Sequence, residues 1–393
     1  MLHRISSLKS ARLVSRLFAT SSAPPKHTPL YDWHVKHGGA LTDFSGWMLP
    51  QQYKGMGSLE SSIHTRKQGC FSVFDVSHML QLTVKGPKSN EFFEACTVVD
   101  CKELGNGSVK LSLITNNNGG IIDDCMVARK SENEFRLVVN AGCADKDLKH
   151  LQAMAMTPQF KGGVDVIPIY DRALVAAQGP AAAAAVEKLS GQSLSKVPFM
   201  HMVQGRIAGA DVIMTRCGYT GEDGFEISIP QSSASAVADA LLQCSGAAPA
   251  GLTARDILRL ESGLCLYGSD IDMETSPVKA ALMWTISKRR RQTGGFPGSD
   301  IIMKEFAAKP SRIRSGLVFD GKRPARHGAK VLDASGAEVG VVTSGSFSPN
   351  LNKCAPSFLL LRFCCVFVAC PSLIRRTRFQ MRRHGIHEQQ PQI

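Results

Sequence analysis

Leu111-Ser-Leu-Ile-Thr-Asn-Asn-Asn-Gly-Gly-Ile-Ile-Asp-Asp124 joins two apolar, β-branched runs through an Asn/Gly turn. The Asn-Asn-Asn-Gly-Gly segment supplies the positive-φ positions that a tight hairpin needs, so the stretch reads as two antiparallel strands, the second continuing through Cys125-Met-Val-Ala-Arg129. Strands disfavour aspartate, yet two stand here together. Strict alternation places Ile122, Asp124 and Met126 on one face and Ile121, Asp123 and Cys125 on the other. Each carboxylate then has apolar neighbours on its own face. Burying it unpaired is costly, so it is expected to hold a ligand, a cation or a backbone donor. A turn-proximal Asp that caps backbone amides would satisfy the same pattern. Spacing leaves open which Asp matters.

Outward from this hairpin, strand patterns recur at 80–86 (LQLTVKG), 134–140 (EFRLVVN), 210–217 (ADVIMTRC) and 225–230 (FEISIP). They alternate with amphipathic helices at 180–191 and 235–246, each stopped by Gly. A further helix is expected to open at Thr253-Ala-Arg-Asp256, with Thr253 as N-cap, Asp256 at N3 and Gly263 as its end. The fold class is α+β and multidomain, built of antiparallel sheets with packed helices. After Phe296-Pro-Gly298 the text is strand and turn only, which predicts a small C-terminal antiparallel β-barrel over 296–353.

The chain of 393 residues is 44% hydrophobic and carries a net charge of +13. A charge of that size suggests nucleic acid or an anionic membrane, but its distribution argues against both. Residues 1–27 contribute +5 with no acid, residues 354–393 contribute +5, and the body keeps only +3. The first 22 or so residues are rich in Arg and Ser, with Lys9, Arg12 and Arg16 clustered opposite Leu13, Val14, Leu17 and Phe18 on a helical wheel. This composition predicts a mitochondrial transit peptide over 1–27, with Ala23-Pro-Pro-Lys-His-Thr-Pro29 as linker. Of twelve cysteines, eight are scattered singly through the body without a CxxC pair, which reads as buried free thiols in a reducing compartment and no metal site.

Residues 354–374 read CAPSFLLLRFCCVFVACPSLI, followed by a basic run. The apolar part contains Arg362 and Pro371 and falls short of a membrane span, and it lacks the alternation of a barrel strand. A barrel starting near 310 needs more strands than 310–353 supplies. The segment is therefore expected to be a tail foreign to the barrel, as a shifted reading frame or retained intron near codon 354 would produce.

A second motif, RCGYTGEDGFEI at 216–227, is a hairpin turn leading straight into a strand. Glu226 faces away from Phe225 and Ile227. A carboxylate fixed there can accept two parallel N–H bonds from an amidine-like edge such as a 2-aminopyrimidinone, and Tyr219 can stack on its ring. An exposed strand position explains Glu226 equally well.

Together with TPLYDWHVKHGGALTDFSGWMLPQQY (28–53), FDVSHM (74–79), NAGCADKDL (140–148), TARDILRLESGLCLYGSDID (253–272) and SPVKAALMWTISKRRR (276–291), these motifs resemble the T-protein (aminomethyltransferase) family of the glycine cleavage system. The resemblance runs from about 28 to 353. It implies an aminomethyltransferase region over 28–295, arranged around a central tetrahydrofolate site and followed by the barrel. It implies that Asp124 is catalytic, that Glu226 and Arg255 bind folate, that Met79, Asn140, Tyr219 and Trp284 line the pterin pocket, and that Arg314 is a further folate residue. The implied reaction moves an aminomethyl carbon from the dihydrolipoyl arm of a carrier (H) protein to tetrahydrofolate. The products are 5,10-methylenetetrahydrofolate and ammonia, and the setting is the mitochondrial matrix. Asp124 would orient the folate and stabilise the cationic iminium. Lys288-Arg-Arg-Arg291 reads as a solvated helix end, or as a contact for folate polyglutamate or an acidic carrier.

Competing readings are weaker. Sarcosine or dimethylglycine dehydrogenases of the same superfamily add a GxGxxG flavin domain, absent from this sequence. A folate-binding iron–sulfur assembly factor carries a Lys-Gly-Cys signature where this chain has CGYTGED. An inactive product caused by the altered tail is the remaining alternative.

Overall fold

The computed structural model describes residues 24–319 and 323–361, with side-chain surroundings through Ala355. The leader up to residue 23 and the tail from 362 lie outside the described residues. Part of the segment read as linker belongs to the fold. Lys26–His27 is a short strand parallel to Trp47–Tyr53, and Thr28 Oγ1 donates to the buried Asp75 at 2.6 Å.

Ile121–Ser131 and Val109–Thr115 form the predicted hairpin within a five-stranded antiparallel sheet whose order continues through Glu134–Val139, Leu80–Lys85 and Asp165–Ile169. Its register corrects the expected alternation. Leu113 faces Asp124 and Ile114 faces Asp123, but Thr115 faces Ile121, so Ile122 is an extra residue in a β-bulge. Ile122 consequently packs in one core with Cys125 and Val127, away from Asp124. A bulge re-aims the residues that follow it. Here it sends Asp123 toward the core beneath helix Ala144–Ala155 and leaves Asp124 on the opposite face, with Met126 and Ala128.

A six-stranded sheet, ordered His201–Ile207, Ala210–Arg216, Gly224–Pro230, Arg172–Gln178, Phe71–Asp75 and Ala247–Pro249, supplies the other wall of the molecule. Glu226 stands in its interior, in register with Ala176 on one side and Thr215 on the other. A narrow cleft between the two sheets is lined by Gln81, Met126, Arg136, Val138, Cys217 and Glu226, among others. Interior strands cannot shift register without turning their apolar sets outward, so both carboxylate-bearing strands hold fixed positions.

Helix Leu252–Glu261 packs on the six-stranded sheet, with Ala254 and Leu258 in one apolar cluster with Phe74, Leu174 and Ala176. Its N-cap is Gly251, extended at φ −103° and ψ −179°, not the expected Thr253, which lies inside the first turn. Gly251 fits because a Cβ there would meet the backbone of Gln51 and Gln52 at 2.7 Å or less. The expected partner role of Asp256 also changes: it pairs with Arg259 at 2.9 Å and does not cap.

The C-terminal sheet has four antiparallel strands in the order Arg312–Gly316, Lys353–Leu361, Glu338–Ser348 and Lys330–Leu332, and it does not close into a barrel among the described residues. Lys353–Leu361 lies between two partners, so the expectation that residues after Lys353 cannot supply a strand fails as far as Leu361. What holds this strand is antiparallel backbone pairing with Arg312–Gly316 on one side and Glu338–Ser348 on the other, which side-chain alternation does not report. No helix of the described residues is long and apolar enough to cross a membrane.

Candidate functional site

Asn140 follows directly on strand Glu134–Val139 and reaches back to both aspartates. Its backbone N–H donates to Asp123 Oδ2 at 3.0 Å, and its side-chain Nδ2 donates to Asp123 Oδ1 at 2.9 Å and Asp124 Oδ1 at 2.8 Å. Asp123 is fully buried, whereas Asp124 is enclosed by protein but keeps part of its surface open. Burial, then the neighbouring Asp123 charge, pushes Asp124 up to about 7, against the Asn140 bond that favours its anion. Such a carboxyl can gain or lose a proton near neutral pH.

Behind the pair, the sequence reading missed a third carboxyl. Asp147 on helix Ala144–Ala155 is fully buried, and donor atoms of Asp123, Cys143 and Asp147 lie within 4.8 Å of one another. The spacing from Cys143 to Asp147 is one helical turn, a signal present in NAGCADKDL.

On the facing sheet, Glu226 is raised by burial, opposed by the Arg255 charge and the Cys217 thiol. Arg255 sits in the first turn of helix Leu252–Glu261 with its guanidinium 4.6 Å from the Tyr219 ring centroid. Its Nη1 is buried and has no hydrogen-bond partner. An unpaired buried guanidinium N–H is costly, so this atom fits an acceptor brought by a ligand. Tyr219 in turn donates its hydroxyl to the Cys265 carbonyl, and both Tyr219 and Cys265 lie within the electrostatic reach of Asp124. Electrostatic influence thus runs from Glu226 to Arg255, from Arg255 to the Tyr219 ring it covers, and from Tyr219 to Asp124. Met79 packs beneath it, against Phe74, Leu174 and Ala254.

Two predicted residues are placed differently. Trp284 is 64% exposed on the short turn Met283–Thr285, and its indole has no hydrogen-bond or ring partner among the described residues. Arg314 ties the C-terminal sheet to the preceding loop by donating to the Ala280 and Gly263 carbonyls at 3.0 and 3.1 Å. The basic run is not simply solvated. Arg289 is held by Asp100 and Glu94, and Arg290, 3% exposed, donates to the carbonyls of Glu94, Thr97 and Gly294. Sequence alone also gave no pointer to Arg136 and Gln81, which line the cleft beside Glu226 and share a hydrogen bond of 3.3 Å.

Comparison with known proteins places these motifs in context. Residues 30–290 match the profile of the GCVT N-terminal domain, and residues 312–355 match that of the glycine cleavage T-protein C-terminal barrel domain. The chain is 44% identical over 341 residues to a mitochondrial aminomethyltransferase of Pisum sativum, covering 86% of this chain and 82% of that protein. It is 46% identical over 336 residues to a mitochondrial aminomethyltransferase of Gallus gallus, covering 85% of each. Among solved structures, the glycine cleavage system aminomethyltransferase T from Bartonella henselae superposes with a TM-score of 0.79 at 39% identity, covering 86% of this chain and 90% of that one.

Proposed function

The chain belongs to the glycine cleavage T-protein family, and from that premise we propose the residue roles that perform the family's reaction here. The protein is an aminomethyltransferase that depends on tetrahydrofolate. It moves the aminomethyl carbon from a dihydrolipoyl sulfur of the carrier protein to tetrahydrofolate, and ammonia and the free dithiol leave. The residues fit that acceptor. Glu226, inside the cleft, offers two oxygens to the amidine-like edge of the pterin. Arg255 directs its unpartnered Nη1 at a folate carbonyl or carboxylate. Tyr219, pinned through its hydroxyl and covered by Arg255, gives the ring a flat wall.

Asp124 is the carboxylate assigned to the reacting carbon. Its anion would stabilise the positive charge that develops there, and its elevated proton affinity suits it to accept a proton as nitrogen changes partners. Met79 supports the floor, Asn140 orients Asp124, Trp284 offers an exposed aromatic surface to the incoming folate, and Arg314 couples the C-terminal sheet to the preceding loop. The lipoyl-bearing carrier is the protein partner, and the mitochondrial matrix is the setting suggested by the relatives' names.

The observation that supports this reading is the partly open Asp124, held by Asn140 and electrostatically linked through Tyr219 to Arg255 and Glu226. Incubating the chain with an aminomethyl-loaded lipoyl carrier and tetrahydrofolate should yield methylenetetrahydrofolate and ammonia in equal amounts. Carrier-independent binding of folate without either product would reject it.

A further inference from the structure

Asp147 has no place in the reaction described above, yet it is fully buried and neither of its oxygens receives a donor. Asp123, also fully buried, has both oxygens supplied by Asn140 and faces Asp147 and Cys143 within 4.8 Å. Two ionised carboxylates at that separation inside a protein repel strongly, and one of them would lack any hydrogen bond. A single proton resolves both difficulties. It belongs on Asp147, because the other partner already receives N–H groups that favour its anion.

We infer that Asp147 is a buried carboxylic acid that donates its proton to Asp123, and that it is a positioning residue for Asp124 through Asp123 and Asn140. The inference rests on the role proposed for Asp124. The groups around Asp147 agree. Asp123, Asp124, Cys125 and Cys143 crowd it with negative charge or neutral thiols, and burial and the Asp123 charge raise its affinity for the proton far above that of an ordinary carboxyl. Lys146, the one nearby cation among these neighbours, turns its ammonium to the Ile122 carbonyl at 2.6 Å and the Tyr267 hydroxyl at 3.0 Å. Donation from Asp147 fixes Asp123 as a singly charged acceptor, Asp123 fixes the Asn140 amide, and that amide sets the rotamer of Asp124.

Infrared difference spectra of the full chain near neutral pH, wild type minus Asp147→Asn, test this without reference to activity. The expected result is one protonated-carboxyl C=O band, lost in the variant and persisting in wild type as pH is raised to 9. The amide of Asp147→Asn can donate the same hydrogen bond, so turnover should stay within about threefold and the acid limb of its pH profile should hold. Asp147→Leu cannot donate, so turnover should fall about tenfold or more, the scale of one buried hydrogen bond, and that limb should shift. Absence of the band overturns the inference. So does a variant pair in which Asn is as damaging as Leu, or a divalent cation that copurifies with wild type and is lost from Asp147→Asn. If Asp147→Leu does not fold, the band and the Asn profile decide alone. Failure of carbon transfer in wild type would reject the reaction while leaving the band to be read.

Discussion

Asn140 Nδ2 lies 2.8 Å from Asp124 Oδ1, and the same nitrogen lies 2.9 Å from Asp123 Oδ1. One amide thus binds two carboxylates that strand alternation sends to opposite faces, just past a β-bulge at Ile122. The arrangement separates their roles: Asp123 is enclosed and spends its oxygens on Asn140, whereas Asp124 keeps open surface.

Replacing the shared donor should damage both. Asn140→Ala removes the side-chain bonds to Asp123 and Asp124 at a partly buried position, and each lost bond costs about 1–3 kcal/mol when its partner stays charged. Denaturant unfolding should show a stability loss of that order or greater. Turnover should fall with the Kd for tetrahydrofolate changed by only a few fold.

Stability and turnover should move in opposite directions with pH. The folded protein holds the Asp124 proton up to about 7, whereas an unfolded Asp releases it near pH 4. The stabilisation from that proton is complete below about pH 4 and is lost as pH rises through about 7. Thermal midpoints should therefore fall over this window while turnover rises with the anion. Asp124→Asn should flatten the Asp124 contribution to the first profile and raise the midpoint at pH 8.

The folate side has its own signature. Glu226→Gln and Arg255→Lys should each weaken tetrahydrofolate binding about ten- to hundredfold by calorimetry, the scale of a lost hydrogen bond to a charged group. Lysine keeps the charge of Arg255 but loses the planar fork that lies over Tyr219, so it should not rescue.

How much of this was legible in the chain differs by element. The hairpin at 111–129 was, because its turn residues and β-branched runs agree. The bulge at Ile122 was not, since it is set by register against Val109–Thr115 and not by local composition. Motif resemblance reached Asp124, Glu226 and Arg255, whose charges influence one another through the Tyr219 ring between them. It could not show that Arg289 and Arg290 are occupied by Asp100 and Glu94, nearly two hundred residues earlier. Alternation also misled at 354–361, where pairing on both sides holds the strand.

That strand gives a further prediction. Among the described strands, Lys353–Leu361 is the sheet partner of Arg312–Gly316, which carries Arg314. Ending the chain at Asn352 should release that strand, open the Arg314 backbone to limited proteolysis and promote aggregation through unpaired edges. Tetrahydrofolate affinity should weaken in the same truncation.

For the basic run, Arg290→Ala should cost about 1–3 kcal/mol in unfolding free energy, because it leaves three carbonyls without the buried guanidinium that donates to them while Glu94 keeps its pairing with Arg289. Carrier KM should change little in the fraction that remains folded.

The most direct test of the account compares wild type with Asp124→Asn in single-turnover transfer from the aminomethyl-loaded lipoyl carrier to tetrahydrofolate, with the Kd for tetrahydrofolate measured on the same samples. The account predicts that the variant keeps that Kd within a few fold and loses most of the transfer rate. Equal transfer rates in the two proteins would contradict it.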